Sequence, residues 1–396
     1  MSITMDTTDE LLDRVAGLRS TIEAHVDENE RTCRLADPVY DALIAAGMYK
    51  MMTPASLGGL EMHPCEVYPV IEALAAIDGA TGWNVNQSTS VSMLMSAFGG
   101  TARDMFTRDP SAPLCSSAFP PAFASRVDGG ISVNGRVAFL SGAARAVTGF
   151  ATAVVVDAGE PVIDPETGAP EVLMMVFPMS DIEVVDVWNP VGMRGTGSND
   201  GVFADCFIPE ERCGPFAFPT VRPEEWANPM YGFIPFFGIT VHAIVPLGIA
   251  TAALDETLEI VATKTPNFFD VPLRERTTAH DLLGRCRAEI EAARASIDAV
   301  TRRSIEELAA TGESLSTDAR ISVQLAGANA ATVSRRVGDT VRSLAGTSAI
   351  KSGTSLERRL RDIDTITQHL VLQEGRYASA GVMMLGEPSD LALLNI

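Results

Sequence analysis

The sequence predicts an α+β protein with three consecutive domains, at residues 1–112, 113–214 and 215–396. Apolar residues recur at helical spacing before about residue 110, whereas short β-rich runs separated by Gly, Pro, Asn and Asp fill the middle. Four long helical stretches with short links follow. This order predicts an N-terminal helical domain, a central antiparallel β-sandwich or barrel, and a C-terminal four-helix bundle.

The first domain reads as helices. An amphipathic helix around Leu11 and Ile22 is followed by helices over 37–46, 65–77 and 81–98. The last of these carries a polar cluster on an otherwise apolar element, made of Trp83, Asn84, Asn86 and Gln87. Because Asn is common at helix N-termini, capping accounts for part of this cluster.

The β domain contains the string GGISVNGRVAF (129–139), whose Asn134-Gly135 pair is typical of a hairpin turn. The bundle helices are predicted over 238–264, 273–310, 317–346 and 354–377. If the last helix is continuous, Asp362, Thr365 and His369 lie on one side of it. Spacing alone predicts that this polar side faces solvent.

The composition excludes several classes of function. The 396 residues carry a formal net charge of -21 without a basic run, which disfavours nucleic acid and anionic membranes as partners. The six cysteines form no CxxC pair and the five histidines are dispersed, so no metal site is predicted. An acidic N-terminus and the absence of a membrane-length apolar run predict a soluble, cytoplasmic protein. No GxGxxG or Walker-type motif is present.

Four strings resemble the acyl-CoA dehydrogenase superfamily. They are GATGWNVNQ (79–87), DGGISVNGRVAFLSGA (128–143), VWNPVGMRGTGSNDGVFADCFIPEER (187–212) and RRLRDIDTITQH (358–369), and together they extend in order over nearly the whole chain. The resemblance implies a flavin enclosed between the helices and the β domain. It also implies a homotetramer in which neighbouring subunits share each flavin site.

Within the superfamily, the dehydrogenases need a carboxylate to remove a proton. The positions that supply it correspond here to Leu370 and to the neighbourhood of Gly238, neither of which can accept a proton. His369, one position earlier, resembles the pattern of the two-component flavin-dependent monooxygenases. This branch takes reduced flavin (FMN or FAD) from a separate NAD(P)H:flavin reductase and forms a 4a-hydroperoxyflavin with O2. The expected activity is therefore oxygenation of a small aromatic or heteroaromatic substrate. The alternatives are an acyl-CoA dehydrogenase or oxidase with a non-standard base, and a non-catalytic family member.

The resemblance also implies roles for individual residues. The implied set consists of catalytic His369 and Ser141, flavin contacts at Phe139, Leu140, Ser141, Ser117 and Lys264, and substrate contacts at Trp83, Asn86 and Gln87. Each of these residues can alternatively have a purely structural role. Ser141 can be a turn residue, His369 a core histidine tied to Asp362 or Thr365, and the Trp83 cluster can serve packing and capping. Arg361 and Asp362 are expected to form a structural ion pair.

Overall fold

Four helices precede the sheet in the computed structural model, which describes residues 7–98, 103–104, 109–165, 168–218 and 222–395. They are α1 (Thr8–Thr32), α2 (Asp37–Ala45), α3 (Pro64–Ile77) and α4 (Gly79–Leu94). Asp78 caps α4, because its Oδ2 accepts a hydrogen bond from the Thr81 backbone N–H at 2.9 Å. The side chains of α4 up to Met93 are buried, so its polar residues face the protein interior.

The middle of the chain forms a sheet of eight strands. They are β1 (Leu114–Val127), β2 (Gly130–Leu140), β3 (Thr148–Asp157), β4 (Glu160–Pro161), β5 (Val172–Pro178), β6 (Glu183–Val185), β7 (Asn199–Pro209) and β8 (Cys213–Pro215). The strand order is β6-β7-β2-β1-β3-β5-β8, with β4 paired to β3. Most pairs are antiparallel, as predicted, but β1 and β3 run parallel. The prediction of a purely antiparallel sheet was therefore wrong for this pair.

The sheet is strongly curved. Phe177 on β5 and Phe203 on β7 lie with ring centroids 4.9 Å apart, although three strands separate β5 from β7 in the sheet order. In a flat sheet those strands would be roughly 19 Å apart at the usual strand spacing. The curvature encloses a separate apolar core beneath the sheet.

The hairpin expected at Asn134-Gly135 is absent from that position. Strand β2 continues through both residues, with a register shift opposite β7, and the turn between β1 and β2 lies at Asp128-Gly129 instead. The Asn134 side chain accepts a hydrogen bond from the Asp205 backbone N–H at 2.9 Å and donates one to its carboxylate. These bonds make Asn134 part of a bulge within the ladder.

Five helices follow the sheet: α5 (Ile234–Thr263), α6 (Thr277–Thr311), α7 (Thr317–Ala345), α8 (Ser355–Ile366) and α9 (Arg376–Met384). Their apolar residues merge with those of α1–α4 into one core. The segment Pro229–Thr263 is long and apolar enough to cross a membrane, contrary to the sequence reading, but 94% of its most apolar window is buried inside the protein. Burial of this kind is typical of the core helix of a large domain.

The last predicted helix is interrupted. Helix α8 ends at Ile366 and α9 begins at Arg376, so His369 lies in a turn segment and the polar stripe shared with Asp362 does not exist. The Thr367 hydroxyl donates to the Ile363 carbonyl at 2.8 Å, and the His369 N–H bonds to Ile366, three residues back. These bonds tighten and end the helix. The prediction of one helix over 354–377 was wrong.

Candidate functional site

The indole of Trp83 joins the helical core to the sheet. Its Nε1–H donates a hydrogen bond to the Oγ of Ser141 at 3.0 Å, just after β2. The Ser141 hydroxyl is also 2.7 Å from the hydroxyl of Ser198, which is 2.7 Å from that of Thr196. All four side chains are buried. A chain of hydroxyl groups can pass donor and acceptor roles along its length, so Ser141 can still offer a hydrogen bond while it accepts one.

Three aromatic rings meet at Trp83. The ring centroids of Trp83 and His369 are 5.3 Å apart, those of Trp83 and His242 are 4.8 Å apart, and those of the two histidines are 5.0 Å apart. The rings are tilted or edge-on to one another, which is the favoured geometry for aromatic contacts. The structure thus brings together predicted Ser141, His369 and Trp83, and adds His242, which sequence reasoning missed.

Both histidines are held neutral at ordinary pH. Burial lowers the pKa of His369 to about 4. Burial, and then the proximity of His369, lowers the pKa of His242 well below its ordinary value. His369 is half-buried, whereas His242 is buried. A neutral imidazole has one N–H donor and one acceptor nitrogen.

Asn86 and Gln87 fix the ring of His242. The Asn86 side-chain nitrogen is 3.1 Å from His242 Nδ1, and that of Gln87 is 3.5 Å from His242 Nε2. The Asn86 oxygen is buried without a partner among the described residues. These two predicted substrate residues therefore contact the site through His242.

Asp362 supports the turn that carries Ser198. Its carboxylate accepts a hydrogen bond from the Met193 backbone N–H, and the Met193 carbonyl accepts one from the Thr196 hydroxyl at 2.9 Å. Burial raises the pKa of Asp362 to about 7. A Cβ at Gly192 would lie 2.2 Å from the Arg361 carbonyl oxygen, so only glycine permits this approach.

The prediction of an ion pair between Arg361 and Asp362 was wrong. Arg361 pairs instead with Glu357 at 2.6 Å and with Glu30 at 2.8 Å. Neighbouring residues on a helix point in different directions, which separates the two side chains. His369 is not tied to Asp362 or Thr365 in the described contacts either, since the Thr365 hydroxyl donates to the Arg361 carbonyl.

The predicted flavin contacts occupy different surroundings. The Ser117 hydroxyl is buried without a partner among the described residues, as expected of a group that awaits a ligand. Phe139 has a left-handed backbone (φ 65°), and its exposed ring contacts Trp188 edge-on at 6.0 Å. Leu140 packs its side chain into the core under the sheet, and its carbonyl accepts a hydrogen bond from the Ala143 N–H at 3.1 Å. Lys264 donates to the Ala345 carbonyl at 2.5 Å, at the end of α7.

Two residues of the site were missed for identifiable reasons. His242 stands in the apolar run ITVHAIV, which was interpreted only as helix, although a single histidine in a buried helix is itself a signal. Ser198 lies in the Gly-rich string GMRGTGSND, part of the third matching string, for which the resemblance implied no individual site residue.

Comparison with known proteins relates this arrangement to a family. Residues 240–374 match the family described as "Acyl-CoA dehydrogenase, C-terminal domain". The chain is 29% identical over 372 residues to the indole-3-acetate monooxygenase of Pseudomonas putida, covering 92% of this chain and 90% of that protein. It is 30% identical over 202 residues to "Flavin-dependent monooxygenase, oxygenase subunit HsaA" of Rhodococcus jostii. This alignment covers 51% of this chain and 51% of that protein.

The solved structures agree with the sequence relatives. XiaF from Streptomyces sp., in complex with FADH2 and glycerol, superposes with a TM-score of 0.87 at 25% identity, over 97% of each chain. The resemblance inferred from the four strings is confirmed. The chain resembles the acyl-CoA dehydrogenase superfamily and, within it, the flavin-dependent monooxygenases.

Proposed function

We propose that this chain is the oxygenase component of a two-component flavin-dependent monooxygenase that acts on a small aromatic or heteroaromatic compound. The observation that carries the proposal is that Ser141 and His369 converge on Trp83, by a hydrogen bond of 3.0 Å and a ring contact of 5.3 Å. Residues from α4, from the end of β2 and from the turn after α8 thus form one site. Relatives named as monooxygenases cover nearly the whole chain.

The alternative of a dehydrogenase with a non-standard base has less support. Leu370 is apolar and 42% exposed, and a Cβ at Gly238 would lie 3.9 Å from His242 Nε2. An imidazole therefore faces the helix position where such a base would stand. The buried carboxylate of Asp362 is occupied by the Met193 backbone N–H.

A reduced flavin, FMN or FAD, would supply the activation of O2. The unpartnered Ser117 hydroxyl, the exposed Phe139 ring, the Leu140 backbone and the Ser141 hydroxyl are the groups that would hold it. Lys264 would contact the flavin of a neighbouring subunit with the N–H that remains after its ammonium bonds to Ala345 and Ser348. The described residues therefore fit a planar ring with polar edges.

His369 would act as a hydrogen-bond donor. Its Nδ1 accepts from the Val371 N–H at 3.5 Å, so in the neutral ring we assign the proton to Nε2. A role for His369 as a general base that deprotonates the substrate has less support. Transfer of a proton from a phenol with a pKa of about 10 to an imidazole with a pKa of about 4 costs about 8 kcal/mol. A fixed N–H can instead hold an oxygen atom in place without taking its proton.

Water exclusion is the second task of the site. Activated oxygen is lost as H2O2 unless water is kept away from it. Trp83 and His242 are at most 7% exposed and close one side of the cluster. Trp83, with Asn86 and Gln87 behind it, would also line the substrate cavity.

The remaining predictions accompany this function as proposals. A separate NAD(P)H:flavin reductase would deliver the cofactor, the chain would assemble as a homotetramer, and its location would be cytoplasmic. Neither nucleic acid nor a membrane is an expected partner. The domain divisions near residues 112 and 214 have support from the separate core under the sheet, and the curvature of that sheet supports a barrel-like form.

The proposal is tested by mixing the protein with photoreduced FMN or FAD and oxygenated buffer, then following flavin absorbance and H2O2 release. We expect flavin oxidation through a delayed phase absent from free flavin. Bleaching of oxidised flavin by an acyl-CoA would support the dehydrogenase alternative, and lack of flavin binding would support a non-catalytic protein.

Substitutions then assign the roles. We expect His369→Ala and Ser141→Ala to bind flavin but to release H2O2 faster and, where a substrate is turned over, to form less product. The matched controls are His280→Ala on α6 and Ser125→Ala on β1, both exposed residues. H2O2 release at the wild-type rate in His369→Ala would remove His369 from the mechanism, and the same result in Ser141→Ala would remove Ser141.

A further inference from the structure

The elements that carry the three rings contain no cation at the site. Helix α4 has no Asp, Glu, Lys or Arg along its entire length. Helix α5 has none before Asp255, well past His242. In the turn after α8, the residues from Thr367 to Gln373 are likewise uncharged. The walls that these three elements contribute are therefore polar but neutral.

The arginines on adjacent elements are engaged elsewhere. Arg358 lies 4.0 Å from Asp78, and Arg359 lies 3.5 Å from Glu256. Arg335 on α7 lies 3.7 Å from Glu374, at the end of the turn segment. Each of these cations has a carboxylate within 4.0 Å, which balances its charge inside the protein.

The two histidines do not replace the missing cation. Both nitrogens of His242 face the side-chain amides of Asn86 and Gln87, at 3.1 and 3.5 Å, and the ring is buried. The two histidine rings contact each other, and a charge on one disfavours a charge on the other. A carboxylate brought into this site would be buried without a counter-charge, which is strongly unfavourable.

We infer that the substrate is an uncharged aromatic or heteroaromatic ring with neutral hydrogen-bonding substituents, and that the wall formed by His242 and Gln87 discriminates against aromatics that carry a carboxylate. The inference rests on the proposed function, since it concerns the substrate of that site. It separates this chain from the relative named indole-3-acetate monooxygenase, whose named substrate is a carboxylate.

The test is a comparison of two nearly isosteric ligands that differ in one charge. Indole-3-acetamide and indole-3-acetate are titrated into the full-length protein saturated with oxidised FMN, and binding heat is measured at neutral pH. We expect the amide to bind at least about ten-fold more tightly, equivalent to about 1.4 kcal/mol. Equal affinity, tighter binding of the acetate, or no binding of either ligand would overturn the inference. Binding is measured without turnover, so loss of oxygenation activity alone would overturn only the proposed function.

A second experiment adds a positive charge to the wall formed by His242 and Gln87 and repeats the titration. Gln87→Lys places an ammonium beside His242, and Gln87→Met is the neutral control of similar length. We expect Gln87→Lys to shift the ratio of the two dissociation constants at least about ten-fold toward the acetate, and Gln87→Met to leave this ratio unchanged. An unchanged ratio in Gln87→Lys, with folding verified by circular dichroism, would show that the wall does not set the charge preference.

Discussion

The substitution Asp362→Asn tests the electrostatics beneath the site. Asp362 is 2% exposed and accepts a hydrogen bond from the Met193 N–H. An Asn oxygen can accept the same bond at nearly the same position, so the substitution removes the charge and keeps the geometry. The Thr196 and Ser198 hydroxyls depend on that turn.

The magnitude follows from the pKa of Asp362. Burial raises it from 3.8 to about 7 in the folded protein. Between these values the folded state keeps a proton that the unfolded state has released, so stability falls as the pH rises. This loss in the free energy of unfolding is absent below the unfolded-state pKa of Asp362. It is complete above pH 7, where it reaches about 4 kcal/mol. Asn cannot ionise and does not incur it.

The free energy of unfolding in urea, followed by tryptophan fluorescence at about pH 5 and about pH 8, measures this effect. We expect the stability of Asp362→Asn relative to wild type to increase by about 2.5 kcal/mol between the two conditions. His369 has the opposite pH dependence, because its pKa is lowered, so only the difference between variant and wild type is informative. Asp364→Asn, at an exposed position on the same helix, is the control. A pH-independent difference for Asp362→Asn would refute the reasoning.

Three further predictions concern the site. Trp83→Phe removes the bond to Ser141 and should cost about 1 kcal/mol in stability and raise H2O2 release; unchanged H2O2 release would contradict the role of that bond. Gly142→Ala should destabilise the protein by about 1–3 kcal/mol, because φ is 78° and the new Cβ would lie 2.7 Å from the Asn84 oxygen. Gly129→Ala is the control, because Gly129 has a similar φ but no atom near the new Cβ. Comparing the melting temperatures of the two variants separates the cost of backbone strain from that of the contact with Asn84. In the Asp362→Asn background, where the carboxyl with a pKa of about 7 is absent, the fraction of oxygen lost as H2O2 should stay flat between about pH 6 and pH 8, because burial lowers the pKa of His369 to about 4, and an inflection near 6.5 would contradict this.

Periodic apolar patterns predicted most helices well. The predicted ranges 37–46, 65–77 and 317–346 lie close to the observed α2, α3 and α7. Helical spacing of apolar residues reports which face is buried, and this suffices for long elements in a core. The break after Ile366 escaped prediction because Leu370 and Val371 continue the apolar spacing beyond the last helical hydrogen bond. The threonines before them were the available signal, since their hydroxyls can bond to backbone carbonyls and end a helix.

Motif resemblance located part of the site, and packing completed it. Ser141 and His369 followed from short strings, and the structure places both against Trp83. His242 could not be placed by sequence because its partners, Asn86 and Gln87, are more than 150 residues away on another helix. Contacts between distant elements depend on how helices cross, which a single sequence does not encode locally.

The interruption between α8 and α9 gives residues 367–375 two classes of side chain: Thr367, Val371 and Leu372 are buried, whereas Gln368, Leu370 and Glu374 are exposed. Leu360 and Ile363 on one side, and Ala380 and Met383 on the other, anchor the two helices in the core. The exposed side chains of this turn can be replaced without repacking the bundle, whereas Val371 and Leu372 belong to its core. Exposed residues in such a turn can therefore diverge between related proteins while the helices on either side preserve the fold.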